Sequence, residues 1–186
     1  EIIALTDDST VDASSGAVLS GVTLSAPKGA AVVTPTTTLM QEGGLTAEEV
    51  AEVLQLPDGV DPLSFNPFEA GVDAAKALEV EKVSQQIMTA VSSFASAAEG
   101  AGASKAGAFT AALTSVVDVV KVKAAGAQKI DFSKAGDLDL IKAKVADEAQ
   151  KVATAEGSSG FDRTALANLV NATTTSIKNA NDKIKT

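Results

Sequence analysis

The stretch VEKVSQQIMTAVSSF, residues 80–94, carries the clearest folding signal in this 186-residue chain. Its apolar residues recur at spacings of three and four, which is the period of one face of an α-helix. The pattern predicts an amphipathic helix with one buried side. With Asn66 as a cap and Pro67 at the first position, we expect this helix to span about Pro67 to Ala98. The residues of its apolar face are Val80, Val83, Ile87, Val91 and Phe94.

Three more long helices are predicted by the same kind of pattern. We expect them to run from Ser104 to about Ala125, from a cap at Asp137, and from a cap at Asp162. Gly126 suits the left-handed position that commonly ends a helix. Connections of about five to twelve residues favour antiparallel neighbours. The sequence therefore predicts a mainly α fold, an antiparallel helical bundle of about four main helices.

Shorter helices should lead into this bundle. Thr34 followed by Pro35 is typical of a helix start, with the threonine as the cap and proline at the first helical position. Thr46 and Glu49 form a capping box, in which each side chain satisfies a backbone amide near the start of the helix. We expect this second short helix to end near Leu56.

The first 33 residues have a different character. Short apolar runs are separated by Ser, Thr, Gly and Pro, and no helical period is present. Such a pattern indicates short strands or extended segments joined by turns. We therefore predict a short β-like or extended N-terminal segment over residues 1–33, followed by an α-helical bundle domain over residues 34–186.

Composition argues against most classes of enzyme. The chain contains no His, Cys, Trp or Tyr. It therefore lacks the usual general base at neutral pH, a thiolate nucleophile and the aromatic side chains that most often anchor sugars and bases. Paired carboxylates alone could serve a glycosidase, but the acids near the predicted helix starts are accounted for as caps. We expect a protein that is not an enzyme and has no organic cofactor.

The charge is strongly acidic and unevenly distributed. The net charge is −9, with 14 acidic and two basic residues in 1–81, and ten acidic and 13 basic residues in 82–186. This balance disfavours nucleic acid as a partner. No apolar run approaches the roughly 18 residues that span a bilayer, so membrane insertion is not expected. The asymmetry fits two halves that fold against each other, or alternatively head-to-tail attraction between copies.

Two short strings are candidates for chemistry. Asp7, Asp8 and Asp12 offer the hard oxygen donors that Ca²⁺ prefers, although their spacing is not that of an EF-hand loop. A solvated turn is the alternative interpretation, and Ca²⁺ is the one cofactor that we consider. Ser25 and Lys28 match the Ser-x-x-Lys string of penicillin-recognising enzymes, but Pro27 and the absence of the companion motifs indicate a chance match.

Several strings resemble a segment of large secreted or surface proteins of marine and other Gram-negative bacteria. They are APKGAAVVTPTTTLM at 26–40, GLTAEEV at 44–50, LPDGVD at 56–61 and FNPF at 65–68. In those proteins a β-rich part leads through a Val-Thr-Pro-Leu-Thr-Thr-Leu type of string into an Ala-rich helical region. Thr36 stands here in the place of that Leu. The resemblance covers about residues 20–95 and implies an extracellular, non-catalytic module.

We therefore expect an extracellular or cell-surface protein whose partners are other protein chains, copies of itself included. The leading hypothesis is a structural or adhesive module. One alternative is a subunit of an extracellular filament, assembled by exchange of the N-terminal strand. Another is a carrier that holds an apolar ligand inside the bundle. Because the sequence starts at Glu1 without a signal segment, we expect either a processed product or a piece of a longer protein.

Overall fold

The computed structural model describes residues 1–12, 16 and 18–186. Its described part is mainly helical, with a two-stranded antiparallel sheet near the N-terminus. This confirms the predicted fold class. The elements, in chain order, are β1 (Ile2–Leu5), β2 (Thr23–Ala26), α1 (Pro35–Gly43), α2 (Ala47–Leu54), α3 (Ala74–Gly100), α4 (Lys105–Ala125), α5 (Ala135–Ala155) and α6 (Arg163–Lys185).

The four long helices, α3 to α6, form a closed bundle. Each packs against its neighbour in sequence, and α6 returns to pack against α3. Contacts run in opposite directions along α3 and α6, where Gln86 bonds to Asn181 and Gly100 lies beside Leu169. The same holds for α4 and α5, where Lys123 pairs with Asp137 and Gly107 lies beside Val152. Neighbouring helices are therefore antiparallel, as their short connections predict.

Small side chains let these helices approach closely. Alanine and valine make up much of the buried surface, and a few larger residues, among them Phe94, Ile141 and Leu166, fill the space between them. Packing of small residues at helix contacts brings backbones near each other and leaves little room for added volume. The fully buried alanines of the four long helices are Ala90, Ala98, Ala108, Ala111, Ala112 and Ala149.

The connections 101–104 and 156–162 meet at one end of the bundle. Gly102 has a left-handed φ of +96°, and a Cβ there would lie 2.4 Å from the carbonyl oxygen of Gly160. The amide of Asp162, the cap of α6, donates to the carbonyl of Ala101 at 2.8 Å. Only glycine fits this close approach, because any side chain would clash with the opposite backbone.

Polar side chains join three elements at the other end. The buried Asn181 of α6 donates from Nδ2 to the carbonyl oxygens of Phe132 (2.9 Å) and Gln86 (3.2 Å). Gln86 donates from Nε2 to the carbonyl of Asn181 at 3.1 Å. The bond to Phe132 gives a partner to a carbonyl of the α4–α5 connection, and together these bonds tie α3, α6 and that connection together.

A carboxylate reinforces the same end. Asp131 accepts hydrogen bonds from Lys185 Nζ at 2.6 Å and from the amide and hydroxyl of Ser133 at 3.0 and 2.6 Å. Burial raises the pKa of Asp131, but the hydrogen bonds from Lys185 and Ser133 outweigh it and lower the pKa from 3.8 to about 2. The charged form is therefore favoured in the folded protein.

Four details of the sequence prediction are wrong. Helix α3 starts at Ala74 with Asp73 as its cap, because Asn66 instead accepts from the amide of Phe68 in a local turn, and Gly71 has a φ of +86° that no helix tolerates. Helix α2 ends at Leu54 rather than near Leu56. The other two errors concern the ends of α4 and α5.

Asp137 is not a cap, because α5 starts at Ala135, and its carboxylate accepts instead from the amide of Asp131 (2.9 Å) and pairs with Lys123 (2.7 Å). Gly126 has a φ of −91°, and the left-handed residue after α4 is Ala127. Tertiary partners thus override the local signal at Asp137.

Within the described part of the chain, none of the helices combines the length and apolar character needed to cross a bilayer.

The lowered pKa of Asp131 predicts a loss of stability in acid. Its contribution is complete above the ordinary pKa of 3.8 and is lost as the pH falls from about 4 through about 2, because the unfolded chain binds the proton first. We expect Asp131→Asn to lower the urea midpoint at pH 6 and to converge with the original protein near pH 2. Asp139→Asn, which removes only an exposed pair with Lys142, is the control and should change little. A difference that is equal at both pH values would contradict this account.

Candidate functional site

The N-terminal hairpin, by which we mean the described residues of 1–26, is an irregular antiparallel ribbon. Strand β1 pairs with β2 so that Ile2 lies opposite Ala26 and Leu5 lies opposite Thr23. The pairing continues beyond the strands, because the amide of Thr6 donates to the carbonyl of Val22 at 3.3 Å. An isolated bridge between Val11 and Val18 lies further along the ribbon. The predicted β-like character of this segment is therefore seen, although the division of domains after residue 33 stays a prediction.

Two buried threonines of α1 hold β2 from its outer side. We call Thr37 and Thr38 the threonine clamp. The amide of Ser25 donates to Thr38 Oγ1 at 3.0 Å, and both clamp hydroxyls lie 3.1 Å from the carbonyl oxygen of Ser25. The same hydroxyls reach the carbonyl of Thr34, at 3.0 Å from Thr37 and 2.8 Å from Thr38, so each has an acceptor for its single proton.

The clamp explains a buried strand beside a helix. Ser25 is buried, and its backbone N–H and C=O would be costly without partners. The Ser25 hydroxyl donates to Glu42 Oε1 at 2.7 Å, which adds a second link to α1. Ser25 is therefore fully committed to these structural bonds, and Lys28 lies exposed in the turn after β2. The two residues of the Ser-x-x-Lys string, Ser25 and Lys28, therefore do not form one site.

The clamp also fixes which way the backbone of β1 faces. In an antiparallel pair, residues alternate between those that bond to the partner strand and those that turn away from it. Since Ser25 directs its N–H and C=O to the clamp, its opposite residue Ile3 also turns away from β2, and so does Leu5 two residues later. No partner for these backbone groups is found among the residues that the structure describes. Among the described residues, strand β1 therefore has a free edge.

Exposed apolar side chains are concentrated in the same hairpin. Leu5 is 80% exposed and Ile3 is 55% exposed, and both lie on one face of the ribbon because side chains alternate along a strand. Half of the ten exposed large apolar side chains in the described part of the chain belong to its first 18 residues. A concentration of this kind marks an interaction surface more often than isolated exposed residues do. The five residues are Ile2, Ile3, Leu5, Val11 and Val18.

A groove of about 350 Å³ lies between the hairpin and α3. Its acidic side is formed by Asp12 and Glu81, and Gln85 donates from Nε2 to both, at 3.2 and 2.9 Å. The exposed ring of Phe68 stands at this groove. The apolar lining residues are Val11, Leu19, Val32, Val33, Val80 and Met88.

The three candidate calcium ligands lie in different settings. Asp7 Oδ1 accepts from the amide of Ser9 (2.9 Å), its hydroxyl (2.6 Å) and the hydroxyl of Thr10 (3.2 Å). These bonds, those from Ser9 first, lower the pKa of Asp7. Asp8 is exposed in the same turn, whereas Asp12 faces Gln85. The described residues include no group of three acidic side chains placed to hold a metal ion, and Ca²⁺ binding stays a prediction.

The sequence pattern does not single out Thr37 and Thr38, the residues that hold the hairpin. The run of threonines at 34–38 predicts a cap at Thr34, which the structure confirms, but nothing in it shows that Thr37 and Thr38 bond to a strand. Threonine is uncommon as a run inside a helix because it is β-branched. Such a run beside a predicted strand is the signal that could have indicated a helix-to-strand contact.

Comparison with known proteins does not place the chain in a family. No protein-family model matches it, and comparisons with curated proteins and with solved structures found no match.

The clamp predicts opposite outcomes for two buried threonines of the same helix. Thr38→Val removes the acceptor of the Ser25 amide and should lower the free energy of unfolding by about 1–3 kcal/mol, because a buried N–H loses its partner. Thr36→Val is the matched control, since Thr36 Oγ1 is buried without a hydrogen-bond partner among the described residues. It should leave stability unchanged or raise it. Urea unfolding measures both, and an equal loss in the two variants would show that the clamp contributes nothing specific.

Proposed function

We propose that this chain is a non-catalytic structural or adhesive module of a bacterial secreted or cell-surface protein. It acts through protein–protein contacts made by the free edge of β1. The observation that carries the proposal is the outward direction of the Ile3 and Leu5 backbone groups, next to two of the most exposed apolar side chains in the described chain. The surface location is supported by the resemblance of residues 20–95 to proteins of that kind.

A free edge of this kind suits the addition of a strand from another chain. In β-augmentation, main-chain hydrogen bonds supply affinity and alternate side chains supply specificity. The N–H and C=O groups of Ile3 and Leu5 offer up to four such bonds. Proteins that avoid edge contacts place charged residues or proline on the edge, whereas β1 reads Ile-Ile-Ala-Leu.

The rest of the chain is suited to hold this edge in place. The clamp fixes β2 to α1, and α1 packs against α3 and α4 of the bundle. The edge is thus attached, through one strand and one helix, to a core of closely packed helices. A rigid support lowers the entropic cost of ordering a surface on binding, which is a property that a contact module needs.

The two alternatives differ in how far the structure supports them. A self-assembling subunit, in which the N-terminal strand is exchanged between copies, would use the same hairpin and stays a prediction. A carrier of an apolar ligand inside the bundle stays a prediction. The interior between the long helices, where such a ligand would lie, holds the fully buried side chains of Phe94, Ile141 and Leu166.

A short synthetic strand tests the proposed contact. We expect the peptide Lys-Val-Ile-Val-Lys to shift the amide resonances of Ile3 and Leu5, because its apolar centre can pair with β1 and its ends complement Glu1, Asp7 and Asp8. The same peptide with Glu at both ends should bind more weakly. Titration followed by amide NMR gives the affinity of each.

A matched pair of variants makes the test specific. Leu5→Lys places a charge on the edge and should weaken binding of the first peptide by about tenfold or more, since burial of a Leu side chain is worth about 1.5–3 kcal/mol. Leu140→Lys adds the same charge at a 49% exposed position on α5 and should leave binding unchanged. Shifts that spread over the helices instead of β1, or an equal effect of the two variants, would rule out the edge as the contact.

A further inference from the structure

We infer that the groove between the hairpin and α3, which we call the α3 groove, is a second contact site of this chain. It binds an extended segment of another protein that carries an arginine or lysine between aliphatic residues. This site lies beyond the proposed function, because no residue of β1 is among the described residues that line the groove. Three features of the groove support it, namely a pair of carboxylates, a buried hydroxyl and an apolar lining.

Two carboxylates lie close together at one side of the α3 groove. Gln85 donates from Nε2 to Asp12 Oδ2 at 3.2 Å and to Glu81 Oε1 at 2.9 Å, so a single amide group joins them. An amide carries no charge, and the described lining residues include no lysine or arginine. Two neighbouring negative charges attract a cation, and a carboxylate accepts several hydrogen bonds at once. A guanidinium or ammonium group of a partner therefore suits this side of the groove.

A buried hydroxyl lies about one helical turn further along α3. Ser84 lines the groove and is only 8% exposed, and no hydrogen bond of its hydroxyl is found among the described residues. By contrast, the buried Ser115 of α4 donates to the carbonyl of Ala111 in its own helix at 2.7 Å. The hydroxyl of Ser84 is thus a donor that a carbonyl group in the groove can accept from.

Apolar side chains form much of the remaining lining, among them Val33, Val80 and Met88. The ring of Phe68 is 61% exposed at the groove, and its amide donates to Asn66 Oδ1 at 3.0 Å in the turn that carries it. An exposed aromatic ring attracts both aliphatic groups and cations. The groove volume of about 350 Å³ is near the lower end of the range for ligand sites, so it accommodates a few side chains.

Together these features favour a peptide segment over a free amine. A basic side chain held by Asp12 and Glu81 belongs to a backbone that also offers a carbonyl to Ser84. Aliphatic side chains on either side of it can cover the apolar lining, whereas a small amine would satisfy the carboxylates alone. The excess of acidic residues in 1–81, with 14 acidic and two basic, also steers a basic segment toward this half of the chain.

Methionine NMR tests the site, because the chain has two methionines in different settings. Met88 lines the groove, whereas Met40 is buried in the core and serves as the internal reference. With ¹³C-labelled methionine methyl groups, the peptide acetyl-Val-Arg-Val-amide should shift the Met88 resonance to saturation and leave that of Met40 unchanged. Citrulline in place of arginine keeps the shape of the side chain without its charge, and should weaken binding about fivefold. Added salt should weaken binding of the arginine peptide more than that of the citrulline peptide.

Two matched pairs of variants locate the contacts. Glu81→Gln keeps an acceptor for Gln85 but removes a charge, and should weaken binding of the arginine peptide about fivefold. Its control is Glu79→Gln, which removes the same charge from an exposed position of α3 outside the described lining and should leave binding unchanged. Ser84→Ala should weaken binding about two- to tenfold without lowering the free energy of unfolding. Ser115→Ala should do the reverse, because its hydroxyl bonds within its own helix.

Several results would overturn the site. They are an unshifted Met88 resonance, equal binding of the arginine and citrulline peptides, and an equal effect of Glu81→Gln and Glu79→Gln. Methylguanidinium that binds as tightly as the peptide would also overturn it, since a free cation would then account for the groove.

The outcomes separate this inference from the proposed function. Leu5→Lys, which weakens the contact at β1, should leave the titration of Met88 unchanged. If the arginine peptide does not bind the groove while Lys-Val-Ile-Val-Lys still shifts Ile3 and Leu5, this inference is wrong and the contact at β1 stands. If Met88 responds and the amides of β1 do not, the groove stands and the proposed edge contact is wrong.

Discussion

The burial of Ser25 is the constraint on which the functional surface depends. A residue buried beside a helix must find partners for its backbone N–H and C=O, and β1 supplies neither, because both groups point away from it. The hydroxyls of Thr37 and Thr38 supply them from inside α1. These hydrogen bonds attach the sheet to the helices. They also fix the direction of the backbone groups of Ile3 and Leu5, which point away from β2.

The chain therefore has two distinct parts, a helical bundle that supports the sheet and a hairpin that carries the exposed surface. The bundle is made of small, closely packed side chains, with its polar bonds concentrated at its ends around Asn181, Asp131 and the Gly102 contact. At these ends Asn181 Nδ2 and the Asp131 carboxylate bond to backbone and charged partners, whereas Asn181 Oδ1 is buried without a hydrogen-bond partner among the described residues. The hairpin, in contrast, directs polar backbone and apolar side chains to the surface together. A chain without His, Cys, Trp or Tyr can make specific contacts in this way, because strand pairing uses the backbone and needs no special side chain.

Sequence patterns were sufficient where the structure is governed by local contacts. The caps Thr34, Thr46 and Asp162 are all found where the pattern predicts them, because a cap bonds to amides two or three residues away. The prediction failed at Asp137, whose carboxylate binds Lys123 and a distant amide, and at Asn66, where Gly71 breaks the helix.

The candidate site could be anticipated only as an extended segment. Its free edge follows from the direction of a single residue, Ser25, and that direction is set by threonines 12 and 13 positions further along the chain. No periodicity in the sequence encodes such a contact. The clustering of apolar residues in the first 18 positions is visible in the sequence, but their exposure follows only from how the hairpin is mounted on α1.

Amide hydrogen exchange in dilute solution tests the central claim most directly. The account predicts that the Ser25 amide, held by Thr38, exchanges on the order of a hundredfold or more slowly than the amides of Ile3 and Leu5, which face solvent, once intrinsic rates are removed. The amide of Ala4, which faces β2, should lie between them. Rapid exchange at Ser25, or protection of Ile3 and Leu5 equal to that of Ala4, would contradict the arrangement of a clamped strand beside a free edge.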